Sequence, residues 1–407
     1  MAEKYIGIVL NDKYAMVSHY TYGMSEPGTF SMVTGSEIYQ IPMCIARHKV
    51  SGQWLYGEEA RDYARENGTS CIESLLKKAL ASETVGFGGE VYEGSRCLFL
   101  FIKMLTGLLI QSGEENLPDK LVITVENMNL EYRRLFKQFA VWMKLPPDRL
   151  MLLDYRESFY YYAYSQPPEL CVHDIVLFYY TSRELLCWRL SRDKKTIPQV
   201  VTIQEGHYIP ILEDRDEEFA EIVADALSGS FVSSVYLIGE GFDGDWMKKS
   251  LAAVCLGRRA FRGKNLFSKG ACYAAAAKAR RTDWPYIYMG NEEIKVNIGL
   301  KVENKGNTEL LTLITAGENR YEAQGECEVI LSGSPSVDFW LQPPRSKEAL
   351  VQSIELTDMP KRKERATRLR ITVKPEAADK IHVYIRDMGF GGFVKSSEKV
   401  WEYMFSI

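Results

Sequence analysis

The apolar residues change their period once, near residues 284–293, and that change limits the fold more than any other feature of the chain. Before it, β-rich runs alternate with stretches of helical period. Leu135, Phe139, Trp142 and Met143 recur at i, i+4, i+7 and i+8, as in an amphipathic helix that covers a sheet. After Trp284-Pro285 and Gly290-Asn291 almost no helical period remains. Short β-rich runs at 294–302, 309–315, 327–332, 336–341, 350–356, 367–373 and 381–386 follow, separated by turn residues. The first pattern predicts α/β layers with mixed sheets, and the second an all-β sandwich or barrel. Two domains, 1–287 and 288–407, are expected from 407 residues at roughly 100–200 per domain.

Within the first domain, Tyr5–Leu10 and Tyr14–Tyr20 predict a hairpin across Asn11-Asp12-Lys13. Further strands are expected over Glu37–Ile45, Leu150–Asp154, Ile175–Tyr180, Leu185–Leu190, Val200–Gln204 and Ser234–Ile238. Leu121–Val125 is a continuous apolar run, as in a central strand covered on both faces. Helices are expected over Gly57–Glu66, 97–111, Glu157–Tyr164, Asp216–Leu227, Trp246–Cys255 and Lys269–Lys278. Gly86-Phe-Gly-Gly89 and Gly389-Phe-Gly-Gly-Phe393 are loop signals, and an exposed Phe in either is a possible partner contact.

Fifty basic and 54 acidic residues leave a net charge of −4, which argues against nucleic acid as a partner. The longest apolar run, Cys97–Ile110, is 14 residues and is interrupted by Lys103; a membrane helix needs about 20. The first residues lack the regions of a signal peptide, so a cytoplasmic protein is expected. Eight cysteines stand no closer than 16 positions apart and five histidines are equally scattered. No metal is therefore expected.

Several collinear strings resemble the Hsp70 chaperone family and the wider actin-like ATPase (ribonuclease H-like) fold. Ile6-Gly7-Ile8 and its hairpin sit where that family has its first phosphate loop. Ile41-Pro42 with Tyr56-Gly57-Glu58-Glu59-Ala60 is similar to its "P-S…V-G-x-x-A" stretch. Leu121–Val125 followed by Glu131–Ala140 is similar to "V-I-T-V-P…R…T…A". Glu157 with Ala163-Tyr164 resembles "E-P-x-A-A-x-x-A-Y", one residue shorter. Val235–Gly241 resembles the adenosine loop, and Lys269–Ala277 the final "A-x-G-A-A" helix. Beyond the boundary, Glu303–Gly306 with Leu310–Ile314, and later Ile381–Tyr384, resemble strands of the family's β-sandwich substrate domain.

The resemblance implies a nucleotide cleft, and the residues that make one are missing. Phosphates are held by backbone N–H groups that glycine lets come close, and Mg²⁺ by carboxylates and water. Where the family reads D-x-G-T-T, this chain has Val9-Leu10-Asn11-Asp12-Lys13. Where it reads D-L-G-G-G-T, the strand ends Phe178-Tyr179-Tyr180-Thr181-Ser182-Arg183-Glu184. Tyr179, Tyr180 and Arg183 are expected to fill the phosphate volume, aided by Phe159, Tyr160, Tyr161, Tyr162 and Tyr164. Gly7, Asp12, Gly239 and Gly241 are the remaining nucleotide-binding candidates. Glu157 matches the residue near the family's catalytic water, and a helix-terminal Glu stabilised by the dipole is its bland reading. Only about 45 residues, 190–234, occupy the place of the family's clamp subdomain, and no lid helices are expected after the sandwich.

The function expected is that of an Hsp70-like pseudo-ATPase, needing no cofactor and binding a protein or peptide as scaffold, adaptor or holdase. The alternatives are a divergent ATPase using ATP with magnesium, and a small-ligand binder in the remodelled cleft. Ile330, Val337 and Phe339 fall near the family's peptide groove. They equally fit the period of a sandwich core, and Lys305 replaces an apolar arch residue. Two basic runs, 258–281 and 361–370, read as solvated or internally paired faces, the acidic helix from Glu213 to Glu221 being one partner for the first.

Overall fold

The computed structural model describes residues 3–21, 23–87, 89–108, 118–209, 214–279, 284–346, 348–377 and 379–407. The chain divides into two compact units, Met1–Leu190 with Gln204–Trp284, and Ser191–Ile203 with Pro285–Ile407. The first is mixed α/β and the second is β-rich.

In chain order the first unit begins with β1 (Lys4–Leu10), β2 (Tyr14–Thr21), β3 (Gly28–Thr29), β4 (Ile41–Pro42), β5 (Cys44–Arg47) and β6 (Trp54–Tyr56). Next come α1 (Gly57–Glu66), β7 (Ile72–Glu73), α2 (Leu75–Leu80), β8 (Thr84–Phe87), β9 (Glu90–Glu93) and α3 (Gly94–Gly107). The first large sheet is completed by β10 (Lys120–Val125), α4 (Leu130–Met143), β11 (Leu150–Asp154) and α5 (Tyr155–Tyr164). A second sheet is built from β12 (Asp174–Tyr180), β13 (Leu185–Asp193), β14 (Gln199–Tyr208), α6 (Arg215–Ala226), β15 (Val232–Ile238), α7 (Lys249–Cys255), β16 (Arg259–Gly263) and α8 (Leu266–Ala279).

The two sheets share one strand order. The first runs β11-β10-β1-β2-β3 and the second β16-β15-β12-β13-β14. In each, a first strand carries an antiparallel hairpin on one side and two parallel strands on the other. Parallel neighbours need long crossovers, which α3, α4, α6 and α7 supply. As the apolar run predicts, β10 is a central strand between β1 and β11, buried from Leu121 to Val125. The β1–β2 hairpin is held by Asn11, whose Oδ1 accepts the N–H groups of Lys13 and Tyr14, both at 2.8 Å.

Helix α8 packs on β1, β2 and β10 of the first sheet and against α5. Two glycines set this approach. A Cβ at Gly7 would stand 2.4 Å from the Ser268 carbonyl oxygen, and one at Gly270 would stand 2.1 Å from the Ser158 oxygen.

Some expectations fail locally. Of the 37–45 run only Ile41–Pro42 and the start of Cys44–Arg47 are strand, with the Met43 N–H between them bound to the Lys13 carbonyl at 3.0 Å. The glycine-rich stretch around Phe87 forms the β8–β9 hairpin instead of a loop; its Gly88 lies outside the described residues, as do Leu109 to Gln111 of the 97–111 helix. The helix expected from Trp246 starts only at Lys249, where the Asp216 carboxylate accepts the N–H groups of Lys248, Lys249 and Ser250.

The second unit adds β17 (Tyr286–Met289), which pairs in parallel with Gln199–Thr202 of β14. It continues with β18 (Asn297–Asn304), β19 (Asn307–Ile314), β20 (Gly325–Ile330), β21 (Ser336–Gln342), β22 (Leu350–Glu355), β23 (Arg368–Ala377), β24 (Lys380–Asp387) and β25 (Val400–Ser406). They form two antiparallel sheets, β19-β18-β21-β22 and β20-β23-β24-β25. One core holds inward side chains of both, among them Ile298, Phe339, Ile371, Val383 and Trp401. The last strand, β25, was not expected from sequence. No helix among the described residues is long and apolar enough to cross a membrane.

Candidate functional site

Within the first unit the carboxyl ends of β10, β12 and β15, the β1–β2 turn and the starts of α5 and α8 converge. A small cavity of about 30 Å³ lies there, lined by Tyr14, Gln40, Tyr155, Tyr179, Gly239, Glu240, Lys264 and Phe267 among others. That is room for a water molecule or two.

Aromatic rings take up the rest of the space. Tyr155 stacks on Phe267 with centroids 4.2 Å apart and meets Tyr179 edge-on at 5.8 Å. Tyr179 also lies 5.8 Å from Trp188 and 5.7 Å from Phe267. The Arg156 guanidinium covers Trp188 at 5.1 Å. All four rings are buried. Burial, together with the neighbouring Tyr14 and Glu126, pushes the Tyr179 phenol above its ordinary range. Burial and Glu240 push Tyr14 up to about 12, so both stay neutral.

The next residue points to the opposite face, as strand period requires. The Tyr180 ring sits over the loop after β15, where a Cβ on Gly241 would be 2.3 Å from its Cγ. Gly239, at φ +111°, faces the Tyr180 carbonyl oxygen, which a Cβ would meet at 2.2 Å. Phe242 meets Tyr180 at 5.5 Å. Arg215 lies over Tyr180 and Trp246 at 5.5 and 4.6 Å and donates to the Gly241 carbonyl at 2.6 Å. The two glycines thus admit a tyrosine of the chain itself.

Most N–H groups of the two turns are already taken within the chain. In the β12–β13 turn the Thr181 N–H binds the Glu184 carbonyl at 2.9 Å, and the Ser182 N–H the Glu240 carboxylate at 3.3 Å. The N–H groups of Arg183 and Glu184 both bind Thr181 Oγ1 at 3.2 Å. In the β1–β2 turn the N–H groups of Asn11, Lys13 and Tyr14 are likewise taken within the hairpin.

Beside the rings lies a polar cluster. Burial and a hydrogen bond with Glu184 raise the Glu126 carboxyl above its usual range. Arg156 pairs with Glu205 at 2.7 Å and binds Asn127 Oδ1 at 2.7 Å. Asp154 caps α5 by accepting the Glu157 N–H at 2.8 Å, and burial pushes its carboxyl up to about 6.

Of the residues expected at the cleft, Tyr179 and Gly239 line the cavity, while Tyr180, expected beside them, meets Gly241 on the other face of β12. Gly7 does neither; it is the contact point of β1 with α8. Asp12 and Arg183 are exposed turn residues, and neither lines the cavity. Glu157 is buried in an ion pair with Lys278 at 3.1 Å. The aromatic run of α5 also goes elsewhere. Tyr160 and Tyr161 pack on Trp284, and Phe159 and Tyr162 on Tyr236. Tyr155, Trp188 and Phe267 fill the cleft instead, from the start of α5, the middle of β13 and the start of α8, and no local pattern in the sequence sets them apart. A wider depression of about 400 Å³ lies on the other face of β13, lined by Arg189, Tyr208, Asp225 and Ser230 among others. Arg189 is held there by Asp174 at 3.3 Å.

The other expected surfaces are internally occupied. Arg262 and Lys264 face Asp243 at 3.3 and 3.8 Å, and Lys269 pairs with Glu26 at 3.0 Å. The acidic helix α6 sends Glu217 to Lys249 at 2.6 Å instead of to this stretch; Arg280, Arg281 and Glu213 lie outside the described residues. In the second unit Arg362 pairs with Asp387, Arg365 with Glu303, and Arg368 and Arg370 with Glu328. Val337 and Phe339 are inside the core while Ile330 is exposed, so the three share no surface. Lys305 and Gly306, both at positive φ, make the two-residue β18–β19 turn.

The first unit is therefore a paired-sheet α/β body whose central cleft is filled by its own aromatic rings. Residues 26–291 match the family of unknown function (DUF5716), C-terminal, and the chain belongs to that family. Residues 293–407 match a domain of unknown function (DUF8552). No curated protein matches the chain.

Proposed function

We propose that residues 1–287 are a degenerate actin-like ATPase domain and 288–407 a β-sandwich of the Hsp70 substrate-domain kind. Together they act as a cytoplasmic pseudo-ATPase that binds another protein or peptide without nucleotide, as scaffold, adaptor or holdase. The repeated strand order of the two sheets supports the fold reading, since one ribonuclease H-like sheet followed by another is the actin-like plan. The eight cysteines, all free thiols, suit a reducing compartment.

The observation that carries the functional reading is the occupied cleft. Small-molecule sites usually enclose about 300–1,000 Å³, against about 30 Å³ here. The N–H groups that would grip phosphates are bound to Glu184, Glu240 and Thr181 instead. A protein of this kind acts through its surface.

The test is the melting temperature of the full chain with ATP or ADP, with and without Mg²⁺. A native-state ligand at 100 times its Kd adds about 2.7 kcal/mol, a rise of roughly 2–4 °C for a domain this size. No rise at millimolar nucleotide is expected. A Mg²⁺-dependent rise overturns this reading in favour of the divergent ATPase with ATP and magnesium.

A further inference from the structure

Cysteines 44 and 71 are 27 positions apart in sequence, and the small β6-β5-β7 sheet brings them together. Cys44 stands opposite Glu73 and Ile45 opposite Ile72 in the antiparallel β5–β7 pair. Cys71 directly precedes β7, and the pairing gathers Cys44, Cys71 and Glu73 in one place. Their ligand atoms, two Sγ and a carboxylate oxygen, all lie within 4.8 Å of one another. We propose that these three side chains form a binding site for a thiophilic divalent cation of the zinc type.

Both thiols are free, and the carboxylate within the same radius adds a third ligand that a disulfide would not use. With Zn–S bonds of about 2.3 Å, tetrahedral ligands stand roughly 3.8 Å from one another, so the three atoms need close by about an ångström at most.

The surroundings suit such an ion. Cys44 is buried, Cys71 partly so, and the Glu73 side chain is 55% exposed, which leaves an entry path. Two thiolates and a carboxylate carry three negative charges; the cation cancels two, and the Arg61 guanidinium, 3.5 Å from Glu73, cancels the third. Loading then exchanges two S–H protons for two metal–sulfur bonds, with the protons going to solvent and no change of oxidation state.

The experiment is an anaerobic Co²⁺ titration of the reduced, chelator-treated full chain, followed by displacement with Zn²⁺. One Co²⁺ per chain is expected, with a near-ultraviolet thiolate-to-cobalt charge-transfer band that Zn²⁺ abolishes. C71S should weaken binding by at least about tenfold and diminish the band. E73Q should weaken binding by about tenfold and keep the two-thiolate band. C44S is the complementary variant; if its buried change unfolds the sheet, C71S and E73Q still decide. A wild-type chain without the band, or one whose band and affinity survive C71S, overturns the proposal. So does a pair that diamide closes to a disulfide in a chain that binds no Co²⁺.

Discussion

The ring of Tyr180 lies against Gly241 so closely that a methyl group on that glycine would fall 2.3–2.6 Å from three ring carbons. Gly241 has no left-handed φ, so the obstacle to a side chain there is the ring alone. Overpacking of this kind costs about 1–3 kcal/mol or more. G241A is expected to lose that much in urea unfolding, and to lose almost nothing in a Y180A background, where the ring is gone. Gly239 behaves differently, because its obstacle is the Tyr180 carbonyl at 2.2 Å and its φ is +111°. G239A should cost as much with Y180A as without it. Equal costs for G241A in both backgrounds would show that the tyrosine does not fill this site.

Asp154 links the same region to pH. Its carboxyl titrates near 6 in the folded chain, chiefly through burial, against about 3.9 unfolded. Between those values the native state holds the extra proton, so this group's contribution to stability falls as pH rises from about 4 through 6. Asparagine caps helices as well as aspartate does and never ionises. D154N is therefore expected to be more stable than wild type at pH 7.5, by on the order of 2 kcal/mol, with the gap closing below pH 4. D154A loses the cap and should fall about 1 kcal/mol below D154N at every pH. Paired denaturant curves at pH 4 and 7.5 check this; a D154N gap that does not change with pH would refute it.

Periodicity made the long elements and the change of architecture near 284–293 legible, because burial on one face writes a period into the chain. It did not show residues 191–203, the far end of the β13–β14 hairpin, as part of the second unit, since strand period says nothing about partners. β16 was missed because Arg259 and Arg262 hide an edge strand among charges. At the site, Tyr179 was readable from what it replaced in a motif, whereas Tyr180, expected beside it, lies on the other face of the strand. Trp188 and Phe267 were not readable, because a cleft filler and a core residue obey the same period. The Cys44–Cys71 proximity depends on the register between β5 and β7, which no local spacing encodes.

The second unit has its own anchor in Asp387. Its side chain is fully buried, accepts two bonds from Arg362 at 2.7 and 2.6 Å, and also accepts the Gly389 and Ser397 N–H groups. Burial alone would raise its pKa; the hydrogen bonds outweigh it and hold the carboxyl below the carboxylate range. Removing one partner of a buried pair costs about 3–5 kcal/mol, and D387A should lose that much. A depressed pKa means stability that is present above the unfolded value near 4 and lost as pH falls through the folded one. The gap between wild type and D387A is thus expected to narrow on acidification below pH 4. Amide exchange should also rise across 388–399, where Arg362, through the Lys395 carbonyl, and Asp387 hold the loop. An unchanged exchange pattern there would sink the anchor role.

The contact of α8 with α5 and β1 rests on two glycines. The family resemblance makes Gly7 a nucleotide candidate and Gly270 part of a helix motif, yet both stand where backbone meets backbone. A Cβ on Gly270 would be 2.1 Å from the Ser158 oxygen and one on Gly7 2.4 Å from the Ser268 oxygen. A carbonyl cannot rotate away as a side-chain tip can, so each alanine must push α8 outward. Each is expected to cost about 3 kcal/mol. Because a shift made for one partly accommodates the other, G7A/G270A should cost less than the sum by about 0.5–3 kcal/mol. Denaturant midpoints of the two singles and the double settle the point. If Gly7 served a phosphate instead, G7A would leave stability within about 0.5 kcal/mol of wild type and change only the response to nucleotide.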